Sequence, residues 1–237
     1  MVDWNDTTVK LLVYLVYGTS FIVMFIALTL WRERVSKIEV MNNFKYLAAF
    51  GLIHGLTEYS DIPRMLVWQP VWVFDLIKLI LVSCSFAALL VFGLSVATAG
   101  NEERRWIRGI PYGGLLMYFW LLIFVGLDYT NGGIGINYKI ADLAERYSLG
   151  FLGAAVSSFA LLNLSKKMSA LAGGKAGKRF IYAGIGFALY ALFGGLITTS
   201  VLDVPVVVYR AATAILITIS VIGIFKLFEV KRPAPTK

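Results

Sequence analysis

The chain has 237 residues, 59% of them hydrophobic and 15% charged, with a mean hydropathy of +0.76. Soluble domains are about 45–50% apolar and about 25% charged, so the composition points to lipid as the solvent, and helices with short loops leave no room for a soluble catalytic domain. The net charge of +8 does not call for nucleic acid, because membrane proteins concentrate Lys and Arg in cytoplasmic loops and the motifs of a base-contacting protein are missing.

Met1 to Thr8 carry Asp3 and Asp6 and no basic residue, unlike the start of a secretory signal. The apolar run at 9–31 exceeds the length of about 20 residues that crosses a bilayer, so it reads as a retained helix. The second run, 44–62, contains His54, Glu58 and Asp61 and is the least apolar. Without it every later loop would change sides. The third, 72–97, opens with Asp75 and Lys78, three apart and suited to an ion pair, and holds Cys84, the single cysteine. One cysteine forms no intrachain disulfide, and this one reads as a small packing residue. The fourth, 107–128, ends at Asp128. The fifth and sixth, 145–164 and 180–199, are rich in small residues: Gly150, Gly153, Ala154, Ser157 and Ser158, then Gly184, Ala188, Ala191, Gly194 and Gly195. Such residues let backbones approach closely, within the bundle or at a dimer face. The seventh, 206–228, has Arg210 near its start.

The expected fold is therefore an all-α integral membrane protein, one seven-transmembrane-helix bundle over residues 1–237. Alternate connections (Arg32, Arg34, Lys37, Lys45; Arg104, Arg105, Arg108; Lys166, Lys167, Lys175, Lys178, Arg179; Lys226, Lys231, Arg232, Lys237) hold 16 of the 22 basic residues. That asymmetry predicts an N-terminus outside and a C-terminus in the cytoplasm, with the chain in the cell's inner (plasma) membrane. Trp31, Trp68, Trp72, Trp106 and Tyr129 near the span ends fit interfacial belts.

Ionisable groups inside a membrane are costly and so mark candidate sites. His54 and Glu58 are four apart, on one helix face and about 6 Å apart along the axis. His54 lies about 13–15 Å along the helix from Lys45, near mid-membrane. Gly51 and Gly55 thin the helix there and admit a neighbour or a ligand. With Asp61, Asp75, Lys78, Asp128 and Arg210 at similar height, the polar groups form either an outward-facing ligand pocket or an ion-paired network that only orients helices. Glu58 is expected to pair with Lys78 or Arg210, and Lys78 with Asp75 or Glu58 unless it snorkels. His54 alone also reads as a hydrogen-bonded core histidine. One histidine cannot give bis-His haem ligation, and there is no Cys/His cluster for zinc. Walker and GxSxG motifs are absent. No lysine lies mid-membrane in the last span, which argues against a retinal Schiff base. No cofactor, no metal and no catalytic activity are expected.

The segment Tyr46-Leu47-Ala48-Ala49-Phe50-Gly51-Leu52-Ile53-His54-Gly55-Leu56-Thr57-Glu58-Tyr59 resembles the second helix of the N-terminal membrane region of bacterial multi-span (hybrid) sensor histidine kinases. Ser85 to Gly93, Glu145 to Phe151, Phe187 to Leu196 and Val204 to Glu229 match in the same order, over about residues 10–230. The resemblance implies a module of two-component signalling that senses a small ligand or a membrane-borne signal, such as a lipid or quinone, and informs a cytoplasmic partner or acts as a homodimer. In those kinases the seventh helix runs on into a signalling helix. Here Pro233 and Pro235 interrupt helical continuation, so the expectation is a module without its kinase domain, either stand-alone or a piece of something larger, that signals through a separate partner. The rival expectations are a small transporter or channel using Glu58, His54 and Asp75, and an accessory subunit of a larger complex. No internal repeat of the transporter kind is visible.

Overall fold

The computed structural model describes residues 3–4, 6–35, 39–66, 72–99, 107, 109–125, 127–128 and 135–228. Trp68, Trp106 and Tyr129, and the basic residues Lys37, Arg104, Arg105, Arg108, Lys231, Arg232 and Lys237, lie outside them.

Long apolar runs satisfy their backbone groups internally as helices, and the described chain is helical apart from turns and one short ribbon. Helix α1 (Thr7–Val35) leads through a 3-10 turn (Glu39–Asn43) to α2 (Phe44–Leu66). Next come α3 (Trp72–Ala97) and α4 (Ile110–Val125). An antiparallel ribbon pairs β1 (Leu127–Asp128) with β2 (Gly135–Ile136). Helix α5 (Tyr138–Glu145) runs through a π segment (Arg146–Gly150) into α6 (Phe151–Ala172). Helix α7 (Gly174–Tyr190) ends in a second π segment (Ala191–Leu196), and α8 (Val206–Phe228) closes the described chain.

Among the described residues, five helical stretches are long and apolar enough to cross a membrane: Thr7–Trp31, Phe74–Ala97, Tyr138–Leu171, Gly174–Leu196 and Val206–Phe228. Helix α2 carries the polar load of Lys45, His54, Glu58, Asp61 and Arg64, and α4 has 16 residues, so neither meets that standard by itself. Large apolar side chains point outward on the long helices, among them Leu30 (68% exposed), Leu116 (72%) and Phe159 (64%). Apolar surface spread over so many helices suits a lipid solvent and not water. These features suggest a multi-pass membrane protein.

Short connections favour antiparallel neighbours. Packing runs α1–α2–α3–α6–α7–α8 and back to α1, a closed ring of six helices, with α4 seated on α3. The ring encloses an aromatic core. Phe44 packs edge-to-face on Phe92 (5.1 Å between centroids) and on Phe225 (5.3 Å). Phe21, Phe50, Phe86 and Phe187 are fully buried around it.

The small residues act mainly inside this ring. A Cβ on Gly55 would fall 2.9 Å from Ile22 and 3.0 Å from the Gly18 carbonyl, so the thinned face of α2 admits α1 and not a ligand. Ser157 donates to the Leu89 carbonyl of α3, and Ser158 to the Gly184 carbonyl of α7. Ala188 alone of the stripe in α7 stays exposed.

The predicted boundaries need correction in three places. The fourth helix is confined to Ile110–Val125, and Asp128 falls in the ribbon. The fifth begins at Tyr138 and not at 145, capped by the Asn137 side chain, which accepts from the Ile140 amide. The sixth begins at Gly174, where Gly173 turns the chain at φ +85°.

Candidate functional site

Four helices meet at His54, which is 1% exposed. Ser85 of α3 donates its proton to the Val82 carbonyl (2.7 Å), so its oxygen accepts from His54 Nδ1 (2.9 Å). That bond places a proton on Nδ1 and leaves Nε2 facing three oxygens. The Tyr190 hydroxyl of α7 lies 2.6 Å away, the Tyr17 hydroxyl of α1 3.2 Å, and Glu58 Oε1 3.4 Å. The two tyrosine hydroxyls are 2.7 Å apart. Phe50 stacks on the imidazole (5.1 Å, 23° between planes), and Phe21 meets it edge-on. Thr57, fully buried, returns its hydroxyl to the His54 carbonyl. One imidazole thus ties α1, α2, α3 and α7 together.

A turn further along α2, Asp61 (8% exposed) receives Lys78 of α3, whose Nζ is 2.6 Å from each carboxylate oxygen. Lys78 is therefore paired, as one of its two sequence readings had it, but with a carboxylate neither reading named. The expected pairing of Glu58 with Lys78 or Arg210 is likewise replaced by its approach to His54. The reason is rotational. Glu58 and Asp61 are three apart, and the packing of α2 on α3 presents Asp61 to the lysine.

Beside this pair, a cavity of about 270 Å³ opens between the start of α3 and α5, lined by Asp75, Lys78, Leu79, Tyr138, Lys139, Asp142, Glu145 and Arg146. Arg146 Nε bonds Asp142 Oδ2 at 2.8 Å, one helical turn away. Glu145 is 0% exposed. Its Oε2 accepts from Ser83 (2.5 Å), and the Tyr118 hydroxyl of α4 approaches at 3.4 Å while bonding the Ala141 carbonyl at 3.0 Å. Its Oε1 is buried with no hydrogen-bond partner among the described residues.

The C-terminal end of α7 is the third part of the site. The π segment closes with Ile197 N on the Leu192 carbonyl (2.8 Å) before the backbone turns extended. Carbonyls freed at a helix end attract cations, and two arginines supply them. Arg210 of α8 donates to the carbonyls of Phe193 (2.7 Å) and Ile197 (3.2 Å). Arg146 reaches the Gly194 carbonyl at 3.4 Å. Phe193 also stacks on Tyr209 at 4.8 Å. Short π segments inside helices occur often at functional sites, and here one begins at Arg146 and the other holds the Phe193 and Gly194 carbonyls.

Of the residues singled out from the sequence, His54 and Glu58 come together, Asp61 and Lys78 come together, and Asp75 lines the adjoining cavity. Arg210 holds the end of α7, and Asp128 is placed by its backbone opposite Gly135 in the ribbon. Sequence reasoning did not single out Tyr17, Ser85, Tyr190, Asp142 and Glu145, and placed Arg146 only at the start of the fifth span. The Asp142–Arg146 spacing of four was a readable helical signal. Nothing marked the two tyrosines, since Tyr and Ser are common in spans. No protein-family model, no curated protein and no solved structure matches the chain.

Proposed function

We propose that the chain is a seven-helix membrane sensory module, N-terminus outside and C-terminus in the cytoplasm. It reads a small ligand or membrane-borne signal in the outer half of the bundle and passes it to a cytoplasmic or membrane partner through α8. The observation that carries this reading is the arginine grip on α7. Arg146, on the wall of the cavity, and Arg210, on α8, both bond carbonyls of the same π segment. An event at the cavity and the position of α8 therefore share one element whose hydrogen-bond register can change. A signal shifts such an element only by favouring one of its two arrangements.

Breaking the grip tests the coupling. Spin labels at Leu30 on α1 and Leu227 on α8, both exposed, report the far end of the ring. Arg210→Gln is expected to change their separation or broaden its distribution while helix content stays the same. An unchanged distribution removes the coupling and with it the sensory reading.

The orientation is supported by the charge asymmetry of the loops, and the spans of α2 and α4 by their order between stretches apolar enough to cross. Reporter fusions in the turn at Gly173 are expected to read cytoplasmic, and fusions at Leu202, 88% exposed between α7 and α8, external. Equal readings at the two sites sink the topology.

A proton path is the rival reading, favoured by the chain Glu58–His54–Tyr190–Tyr17. Against it, the buried rings of Phe44, Phe50, Phe86, Phe92 and Phe225 crowd the ring of helices around and beyond His54. A transport path needs polar or wetted groups on both sides of its site.

A further inference from the structure

A second cavity lies at the opposite end of α3 from Lys78, away from the His54 site. We propose that it holds one anionic phospholipid, with an acyl chain in the cavity and the phosphate on Lys167. The cavity, about 310 Å³, runs along α6 beside the end of α3. Val96, Ala160, Leu164 and Met168, all buried, make an apolar floor, and the exposed side chains of Phe159 and Leu171 stand at the rim. Two polar residues break this apolar lining, Asn163 and Lys167.

Polarity along α6 selects the occupant. Phe159, Asn163 and Lys167 are four residues apart, so they share one helix face at intervals of about 6 Å. A phospholipid presents the same order along its length: hydrocarbon chain, ester carbonyl, phosphate. Phe159 meets the chain, the Asn163 amide donates to the ester carbonyl, and the Lys167 ammonium donates to a phosphate oxygen. The volume is about ten waters' worth at ~30 Å³ each, so the cavity takes part of one chain and leaves the other in the bilayer.

The protein leaves both polar groups for a ligand. Asn163 and Lys167 are exposed, and among the described residues the amide has no hydrogen-bond partner and the ammonium no ion-pair partner. Both lie in the stretch Tyr138–Leu171, which is apolar enough to cross a membrane. An amide facing hydrocarbon without a partner is costly, and an ester carbonyl removes that cost. No acidic residue lines the cavity, and its single charge is positive. A charge-assisted bond from an ammonium to a phosphate is about twice as strong as a neutral one. A zwitterionic headgroup carries its own cation beside that phosphate and gains less. That the lipid comes from the cytoplasmic leaflet, where anionic headgroups gather, rests on the orientation above; the binding itself does not.

The test is native mass spectrometry of the full chain released from detergent micelles, titrated with phosphatidylglycerol or with phosphatidylcholine of the same chains. One phosphatidylglycerol is expected to be held at least tenfold more tightly than phosphatidylcholine, the size of one charge-assisted hydrogen bond. Lys167→Gln should remove that preference, while Lys166→Gln, exposed and outside the lining, should keep it. Asn163→Leu should weaken both lipids about fivefold, as for one neutral hydrogen bond. Ala97→Trp, which fills the cavity from an exposed position on α3, should abolish the tight binding with helix content unchanged. Equal affinity for the two lipids, or equal losses in Lys166→Gln and Lys167→Gln, would mean diffuse attraction to a basic helix end and overturns the proposal. So does wild-type affinity in Asn163→Leu or Ala97→Trp, and so does displacement of phosphatidylglycerol by oleate at equal concentration, since the phosphate is then not read. A reporter at Gly173 that reads external overturns the orientation, moves the lipid to the other leaflet and leaves the site standing.

Discussion

Gly93→Leu is expected to destabilise the protein by about 3 kcal/mol, the upper end of the usual cost of overpacking. A Cβ at Gly93 would lie 2.7 Å from the Ser157 amide nitrogen, 2.9 Å from its Oγ and 3.0 Å from its Cα. Two of those three atoms are backbone, which cannot swing aside as a side-chain end can. Helices α3 and α6 would have to separate, and the bond from Ser157 Oγ to the Leu89 carbonyl (3.1 Å) would stretch. In lipid, helix association rests on close packing and interhelical bonds more than on burial of apolar surface, so lost contact is felt in full. Gly113 in α4 is the control, since nothing lies within 4 Å of its Cβ position. Gly113→Leu should be neutral or stabilising, because leucine is the better helix former by up to about 1 kcal/mol. Unfolding curves in mixed micelles compare the two. Equal destabilisation would mean that α3 and α6 do not meet at Gly93.

His54→Ala should cost about 3–5 kcal/mol, the range for removing a large buried ring. The loss has two parts. Phe21, Phe50, Phe86 and Tyr190, whose ring centroids lie within 6 Å of the imidazole centroid, lose a packing partner and leave a void. The hydroxyls around it also lose an acceptor. His54→Phe separates these parts. It keeps the volume, and the tyrosine hydroxyls still have each other at 2.7 Å while Ser85 keeps Val82. What remains is the lost bond to Tyr190 and the stranding of Glu58 beside an apolar ring. Its expected cost is about 1–2 kcal/mol, near the net value of one or two hydrogen bonds. Melts of the two variants side by side check the order. If His54→Phe is as damaging as His54→Ala, the network carries the stability and the packing does not.

The sequence by itself determined what each helix is. Apolar runs of spanning length must close their hydrogen bonds internally in lipid, so the order of helices and the outward apolar faces could be read from it. His54 and Glu58 were readable for the same reason, since four residues along one helix put them on one face whatever the rest of the fold does. The tertiary structure decided everything that needs two helices at once. Lys78 had carboxylates at two sequence-plausible positions, and only the rotation of α2 against α3 turned Asp61 toward it. Tyr17, Ser85 and Tyr190 carry no signal in isolation and acquire a role because three separate helices bring them to one imidazole. Glu145 and Arg146 looked like the charged rim of a span, because hydropathy sums over a window and cannot see that α5 starts two turns earlier. Their burial is possible because Asp142, Ser83 and a carbonyl of the α7 π segment answer most of their polar atoms, and those partners sit 4 to 62 residues away in the chain. A pairwise energy over such distances depends on how the ring of helices closes, and no local pattern in the chain encodes that.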